Sequence, residues 1–232
     1  MKKIDEFWAA FFGLSITDFM MSELMVVPHA QLQGYQGAWL FRRGSSFIIS
    51  VPPDLVKKVS RELQRQPQSI VTDQDFVALF GETVDQIIGP AYQGYVEKSD
   101  FHPATSSARL LLPEEDNALR ELSAECGAEE WEHSDIQIGQ HPNFGIYAGN
   151  HLVAVANYRM ETKVAAMPGI ITHPDYRGQG YGKAVLSAAT EHGLSRGFLM
   201  LYQTLVLNKP AVAAAESIGY KQYATHLAVR LR

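Results

Sequence analysis

The sequence has 232 residues but a single cysteine, Cys126, and no apolar run of the length that crosses a membrane. One cysteine excludes an internal disulfide framework and points to a reducing compartment, so we expect a cytoplasmic protein. The chain also lacks a basic stripe: its 20 Lys and Arg and its 25 Asp and Glu are spread along it and give a net charge of −5. We therefore expect neither nucleic acid nor a membrane as a partner.

The N-terminus does not have the pattern of a signal peptide, because Asp5 and Glu6 interrupt what would be its apolar region. The apolar residues around them stand at helical spacing, which predicts an amphipathic first helix packed on the body of the protein. These residues are Ile4, Phe7, Trp8, Phe11 and Phe12. A membrane-surface anchor is the alternative, but the two acidic side chains oppose contact with anionic lipid.

Residues 170–185 (IITHPDYRGQGYGKAV) are the most informative stretch of the chain. An apolar strand pattern ends at His-Pro, three glycines follow at alternate positions, and a helix pattern begins. Such a junction suits an anion, because glycine lets the backbone approach closely and the first turn of a helix presents free N–H groups. We therefore predict a site for a pyrophosphate-bearing cofactor.

The spacing of the glycines excludes two common phosphate loops. A P-loop needs Lys followed by Ser or Thr, but Lys183 is followed by Ala184, which has no hydroxyl for Mg²⁺. The dinucleotide fingerprint needs Gly-x-Gly-x-x-Gly after the first strand of a βαβ unit. Here the pattern is Gly-x-Gly-x-Gly, late in the chain, without an acidic residue at the position that would bind a ribose.

Residues 177–182 (RGQGYG) instead resemble the Arg/Gln-x-x-Gly-x-Gly/Ala signature of the GNAT superfamily of acyl-CoA-dependent N-acyltransferases. A second segment agrees with it. Asn208 is a good helix N-cap, Pro210 is tolerated in the first helical turn, and Gly219-Tyr220 ends the pattern. The resemblance covers the second half of the chain, from about residue 108 to 232.

The resemblance implies an α/β (α+β) fold, in which a mixed, twisted GNAT-like sheet is flanked by helices. It also implies acetyl-CoA as the cofactor, with its pantetheine arm paired to the backbone of residues 170–172 and its pyrophosphate on the N–H groups of residues 178–183. The implied cofactor-binding residues are Ile170, Ile171, Thr172, Arg177, Gly178, Gln179, Gly180, Tyr181, Gly182, Lys183 and Asn208.

The catalytic side chains are where the sequence departs from the family. Many members carry a Tyr acid seven residues after the helix-starting Asn, where this chain has Ala215. Some carry a Glu base five residues before it, where this chain has Gln203, which cannot accept a proton at neutral pH. The catalytic residues are thus unknown, and the candidates are Tyr202, Tyr220 and Tyr223 as acids and Glu161 as a base acting through water.

Each candidate also has a structural interpretation. The three tyrosines suit a sheet that packs their rings, and Glu161 suits a solvated turn. Arg177 either pairs with phosphate or fastens the loop, and His173 suits a loop residue before a proline. Cys126 suits the core. Six further histidines lack the sequence spacing of metal ligands, so no metal site is predicted at them. They are His102, His133, His141, His151, His192 and His226.

The chain divides at a short polar segment near residues 100–107, which predicts an N-terminal α+β domain over 1–105 and the acyltransferase domain over 106–232. In the first part we expect strands at 25–29, 37–42 and 46–51, a helix after residue 54, and a helical region over 73–95 broken at Gly89-Pro90. In the second part we expect one helix over 113–134. The N-terminal domain has three candidate roles: a degenerate acyltransferase-like lobe, an acceptor-binding module, or a dimerisation element that would make a homodimer.

We predict an N-acetyltransferase that moves an acetyl group from acetyl-CoA to a primary amine, in a small molecule or a peptide, by direct attack on the thioester. The reaction needs a placed thioester, a deprotonated amine, stabilisation of the developing oxyanion and a leaving thiolate. The alternative is a non-catalytic acyl-CoA-binding regulatory protein, because Ala215 and Gln203 stand where the family has its acid and base.

Overall fold

A computed structural model describes residues 2–65, 72–139 and 142–232. The chain groups into two compact units, Met1–Gln93 with Gln222–Arg232, and Gly94–Lys221. The domain boundary that we expect near residue 105 stays a prediction. In the described part of the chain, no helix combines the length and the apolar composition that a membrane span requires.

The helices and strands follow one another in two groups. The chain begins with α1 (Lys3–Phe11), α2 (Ile16–Met21), β1 (Leu24–Pro28), β2 (Gly37–Arg43), β3 (Ser46–Val51), α3 (Val56–Arg65), α4 (Asp73–Ala78) and β4 (Val84–Val96). It continues with β5 (Arg109–Leu110), α5 (Asp116–Cys126), α6 (Ala128–Ser134), β6 (Phe144–Ala148), β7 (His151–Met160), β8 (Ala165–Thr172), α7 (Tyr181–Ser195), β9 (Leu199–Leu205), α8 (Lys209–Ser217) and β10 (Lys221–Leu231). Nearly all of β10 belongs to the first unit, with the N-terminal segment.

The first unit is built on a mixed sheet with the strand order β1-β3-β2-β10-β4. Strand β1 is parallel to β3, whereas β2 is antiparallel to both β3 and β10. The expected hairpin of β2 and β3 is confirmed, and Gly44 in its turn has a φ of +57°, which glycine adopts without strain. Apolar side chains from these strands and from α3 and α4 form its core: Ala38, Leu40, Ile49, Val51, Val59, Leu63, Phe76, Phe80, Leu227 and Val229.

The predicted amphipathic first helix is confirmed as α1. Ile4 and Trp8, one turn apart, are buried, and the ring of Trp8 lies 4.5 Å from that of Phe41 on β2. The apolar face of this helix therefore packs within the first unit, as the spacing of its residues predicted.

The predicted helix over residues 73–95 is wrong beyond its first two turns. The helix α4 ends at Ala78, Gly81 has a φ of +53°, and β4 begins at Val84. Positive φ at Gly81 stops a right-handed helix, and the β-branched residues that follow favour a strand. Helical spacing in such a mixed segment was too weak a signal against the β-branched run.

The second unit contains a mixed sheet with the strand order β9-β8-β7-β6-β5. Strands β5 to β8 are joined by antiparallel pairs, and β9 is parallel to β8. Helix α7 packs on β7 and β8, and α5 and α6 also pack on this sheet. This is the sheet flanked by helices that the resemblance implied.

The helix expected over residues 113–134 is interrupted. A 3₁₀ turn, Pro113–Glu115, leads into α5, and Gly127 with a φ of +81° separates α5 from α6. Leu119, Leu122 and Cys126 of α5 are buried, as was expected of Cys126 from its place in the core. They pack in a core cluster with Leu111, Ile136, Leu152, Val155 and Ile171.

Candidate functional site

The candidate site begins where strands β8 and β9 separate after a short paired stretch. Strand β8 pairs with β7 through Thr172, which lies opposite Ala154. In the described residues, β9 pairs with β8 only at Ala165 and Ala166, although both strands continue beyond that point. The edge of β8 that faces β9 therefore keeps free backbone groups as far as Thr172, and an extended molecule can pair with them. Residues 170–172, predicted to bind a pantetheine arm, lie in this stretch.

The glycine loop follows β8 and is open to solvent. Gly178 and Gly180 have φ of +75° and +88°, a region that side-chain-bearing residues rarely adopt. A Cβ added at either position would meet no atom within 4 Å. The glycines are thus required by backbone conformation, and the space above them is free for a ligand.

The loop ends at the N-terminus of α7, where Gly180 is the N-cap. The first residue of the helix to donate an intrahelical bond is Ala184, to the Gly180 oxygen at 3.0 Å, so the amides of Tyr181–Lys183 precede the bonded ladder. The first turn carries no acidic residue, and the partial positive charge of the helix end is therefore uncompensated there by a side chain of that turn. The arrangement can hold an anion such as a pyrophosphate.

A close approach fixes this helix end to the strand. A Cβ on Gly182 would lie 3.0 Å from Oγ1 of Thr172, the last residue of β8. The third glycine of the motif therefore serves packing, whereas the other two serve backbone conformation. Together they bring the free strand edge and the helix N-terminus into one continuous surface.

Arg177 is bonded within the protein. Its Nε donates to the Thr172 carbonyl at 3.2 Å, and its Nη2 donates to Oε2 of Glu130 on α6 at 2.7 Å. Of the two roles considered for Arg177, this geometry supports fastening the loop, and a role toward phosphate stays a prediction. Gln179 also bonds locally, from Nε2 to the Asp175 carbonyl at 3.3 Å.

Asn208 occupies the N-cap of α8, as its place before the helix predicted. Its Oδ1 accepts a bond from the Ala211 N–H at 3.3 Å. Two apolar side chains near it are exposed: Leu205 to 49% and Leu207 to 81%. Leu205 ends β9 and Leu207 lies between β9 and α8, both beyond the point where β9 leaves β8. The predicted contact of Asn208 with a cofactor stays a prediction.

Two of the three tyrosine candidates are buried, and Tyr223 is half-buried. Tyr202 is buried, and burial raises the pKa of its phenol. Tyr220 is buried too, and its hydroxyl shares a 2.9 Å hydrogen bond with Oγ1 of Thr190 on α7. The phenol of Tyr223 belongs to the first unit and donates to Asp5 at 2.6 Å. Burial limits the access of a substrate to these groups, and their catalytic roles stay predictions.

The remaining candidates have local partners. Glu161 accepts a 2.7 Å bond from Nε of Arg159, within the turn after β7. Ala215, at the place of the family's acid, is fully buried, whereas Gln203 is exposed. Cys126 is buried among apolar side chains, and burial raises the pKa of its thiol to about 11, so it is not a nucleophile near neutral pH.

Two neighbours of the loop were missed by sequence reasoning. Glu130 bonds Arg177 from 47 positions away, and Glu125 lies beside two histidines, His151 and His173. No sequence spacing marks either contact, because the partners are on different elements. The strongest sequence signal for Glu130 was a helical pattern that places its side chain on a solvated face of the helix. His141 lies outside the described residues.

A family model described as the acetyltransferase (GNAT) family matches residues 111–220. The match includes the loop, α7 and the Asn208 segment. Residues 111–220 are a GNAT acetyltransferase domain. Proteins of the GNAT family transfer an acyl group from an acyl-CoA, so this domain is an acyltransferase domain by family.

Solved GNAT structures share this fold at low sequence identity. A GNAT-family acetyltransferase from Colwellia psychrerythraea is 17% identical, with a TM-score of 0.55 over 79% of this chain and 76% of that one. A GNAT-family protein from Novosphingobium aromaticivorans is 19% identical, with a TM-score of 0.51 over 63% and 65% of the two chains. A GCN5-related N-acetyltransferase from Kribbella flavida is 18% identical, with a TM-score of 0.52 over 67% and 63%. This chain thus spans less than two thirds of the last two proteins. No curated protein matches the sequence.

Proposed function

We propose that the protein is an N-acetyltransferase that moves an acetyl group from acetyl-CoA to a primary amine. The observation that carries the proposal is the continuous surface formed by the free edge of β8 and the open N-terminus of α7. Acetyl-CoA would supply an activated thioester, and its long pantetheine arm and pyrophosphate fit an extended backbone edge that leads to an anion site.

The chain's own part in binding is mostly backbone. We assign the pairing of the arm to residues 170–172 and the pyrophosphate to the amides of residues 178–183. The open space above Gly178 and Gly180 supports this assignment, because a larger residue at either position would both strain the loop and cover its amides. Asn208 would contact the arm near its reactive end.

Direct attack by the amine is supported over an acyl-enzyme route. The chain has one cysteine, and Cys126 is buried with a raised pKa. Positioning an amine beside a reactive thioester supplies much of the rate by itself, without a covalent step. We keep Tyr202, Tyr220 and Glu161 as the proposed proton-transfer candidates, a small or peptidic amine as the acceptor, and the cytoplasm as the location.

Two aspartate variants test the proposal. Gly180→Asp adds a carboxylate to the loop, and Gly197→Asp adds one after the far end of α7. Both glycines have nearly the same φ, +88° and +85°, and neither has an atom within 4 Å of an added Cβ. The two variants therefore share the cost of positive φ and differ in their distance from the proposed anion site.

We expect Gly180→Asp to lose coenzyme A binding in calorimetry and acetyl transfer in a thiol-release assay with a library of amines. Gly197→Asp should retain both, provided that thermal unfolding shows both variants folded. Equal coenzyme A affinity in the two variants would overturn the proposed site.

The alternative, an acyl-CoA-binding regulatory protein, is favoured by Ala215. Its side chain is fully buried where many family members place the acid. A regulator would bind acetyl-CoA, lose that binding in Gly180→Asp, and release no thiol with any amine. Transfer to one amine that depends on Gly180 would reject this alternative.

A further inference from the structure

Beside the glycine loop, three side chains from three elements meet around one point. Oε2 of Glu125 lies 3.0 Å from Nε2 of His151 and 3.4 Å from Nε2 of His173. All three atoms lie within 4.8 Å of one another. We propose that Glu125, His151 and His173 form a binding site for a divalent transition metal such as zinc.

The sheet brings the two histidines together. The N–H of His173 donates to the Val153 carbonyl at 2.9 Å, so the end of β8 lies against the start of β7, where His151 is. Helix α5 packs on β7 and presents Glu125 one residue before the buried Cys126. These contacts are between elements, and for that reason the spacing of histidines along the sequence predicted no metal.

The donor set matches the chemistry of zinc. Two imidazoles and one carboxylate are common protein ligands of this ion, with bonds of about 2.0–2.2 Å. Tetrahedral ligands at that bond length are separated by roughly 3.4 Å, the range of the two distances from Glu125. A metal between these atoms would need little movement of the backbone.

One hydrogen bond must break when the metal binds, and its loss lowers the affinity for the metal. Nδ1 of His173 accepts the Asp175 N–H at 3.1 Å, so the neutral ring carries its proton on Nε2, toward Glu125. Coordination through Nε2 moves this proton to Nδ1 and breaks the bond to Asp175. The Asp175 N–H is at an exposed turn and can bond water instead, so the cost is no more than roughly tenfold in affinity. Protein zinc sites bind the ion so tightly that a tenfold loss still leaves a high affinity.

The surroundings leave the site reachable. The side chains of Glu125 and His151 are 38% and 40% exposed, and that of His173 is 12% exposed. The ring of Tyr176 lies 5.3 Å from His173 and 6.2 Å from His151, and covers one side. Because Glu125 and His151 are exposed, water can reach the metal and complete its coordination. The metal site is argued from these three side chains and does not rest on the coenzyme A proposal.

Binding is measured with the full chain, free of any affinity tag, after removal of metal with a chelator. Zinc titration calorimetry gives the affinity, and Co²⁺ gives an absorption spectrum that reports coordination. His151→Ala and Glu125→Gln each remove one ligand. His133→Ala on α6 and Glu121→Gln on α5 are matched controls, since both residues are exposed and lie outside the cluster.

We expect one zinc ion per chain and at least about tenfold weaker binding in His151→Ala and in Glu125→Gln, because even outer-shell losses cost 10–100-fold. The two controls should bind as the unchanged chain does. Nitrogen NMR of His173 should show its proton move from Nε2 to Nδ1 when zinc is added, which a site without His173 would not produce. Absence of saturable binding, equal affinity in the ligand variants, or an unchanged His173 tautomer would overturn the site. Circular dichroism confirms that the variants are folded.

Discussion

Arg177 and Glu130 join the glycine loop to α6 through a 2.7 Å ion pair. Both side chains are about half exposed, so the pair adds little to the stability of the fold. Its consequence is local: the guanidinium also bonds the Thr172 carbonyl, and the loop is thereby held between β8 and α6. Glu130 is then a positioning residue for the loop.

We predict that Glu130→Gln weakens coenzyme A binding by roughly two- to fivefold, the range that an exposed ion pair supports. The reason is that, once Arg177 is released from Glu130, ordering the loop takes up part of the free energy of coenzyme A binding. Calorimetry of coenzyme A binding measures the change, and Glu129→Gln, the preceding exposed residue, is the control. Tighter binding in Glu130→Gln would show that a released Arg177 reaches phosphate instead.

Sequence reasoning was strongest where a local rule fixes the backbone. Asn208 was predicted to start a helix because its side chain caps the first turn, and it does so through the Ala211 N–H. The glycine motif likewise predicted a loop that opens a helix, and Gly180 is the N-cap of α7. Such features depend on a few neighbouring residues and are readable in one sequence.

Sequence reasoning failed where partners come from distant segments. Glu130 and His151 approach the loop from α6 and from the start of β7, and neither has a motif that predicts its neighbour. The burial of Tyr202 also depends on how α7 and β9 pack, which hydrophobic spacing alone does not determine. The fold of the second half and the loop that opens α7 were thus predictable, whereas the side chains around the loop were not.

Gly169 on β8 is predicted to be important for the stability of the fold. A Cβ there would lie 2.0 Å from the Ser134 carbonyl and 3.0 Å from Oδ1 of Asn157. Because the nearest atom belongs to the backbone at the end of α6, it cannot turn aside as a flexible side chain would. Gly169→Ala should therefore lose about 3 kcal/mol or more of unfolding free energy.

Urea unfolding measures this loss, and Gly197→Ala is its control. Gly197 has positive φ but open space, so the substitution should cost only about 1–2 kcal/mol. If Gly169→Ala were no less stable than Gly197→Ala, the close approach of α6 to β8 would be refuted.

Cys126 is predicted to react slowly with thiol reagents in the folded protein. Burial raises the pKa of its thiol to about 11 from the usual 9.0. At pH 8 this alone lowers the thiolate fraction about 100-fold, and exclusion of the reagent slows the reaction further. A disulfide reagent with a coloured product gives the rates in buffer and in guanidinium. Similar rates in the two solutions would contradict the buried position.

His226 is predicted to make the stability of the protein depend on pH between about 4 and 6.5. It is 3% exposed, stacks on Trp39 at 4.3 Å, and accepts a 2.5 Å bond at Nδ1 from Gln93. Burial lowers the pKa of its imidazole to about 4 from the usual 6.5. As the pH falls below 6.5 the unfolded chain takes up a proton at this position and the folded chain does not, so stability is lost.

The loss from this group has a predictable size and sign. It is absent above pH 6.5, grows by about 1.4 kcal/mol per pH unit below it, and stops growing below pH 4. Between pH 7 and pH 5 the unchanged chain should therefore lose roughly 2 kcal/mol more unfolding free energy than His226→Gln, in which this position does not titrate. Urea unfolding curves at the two pH values give the difference. Parallel losses in the two proteins would mean that His226 takes up its proton equally well in the folded chain, and the buried neutral imidazole would be ruled out.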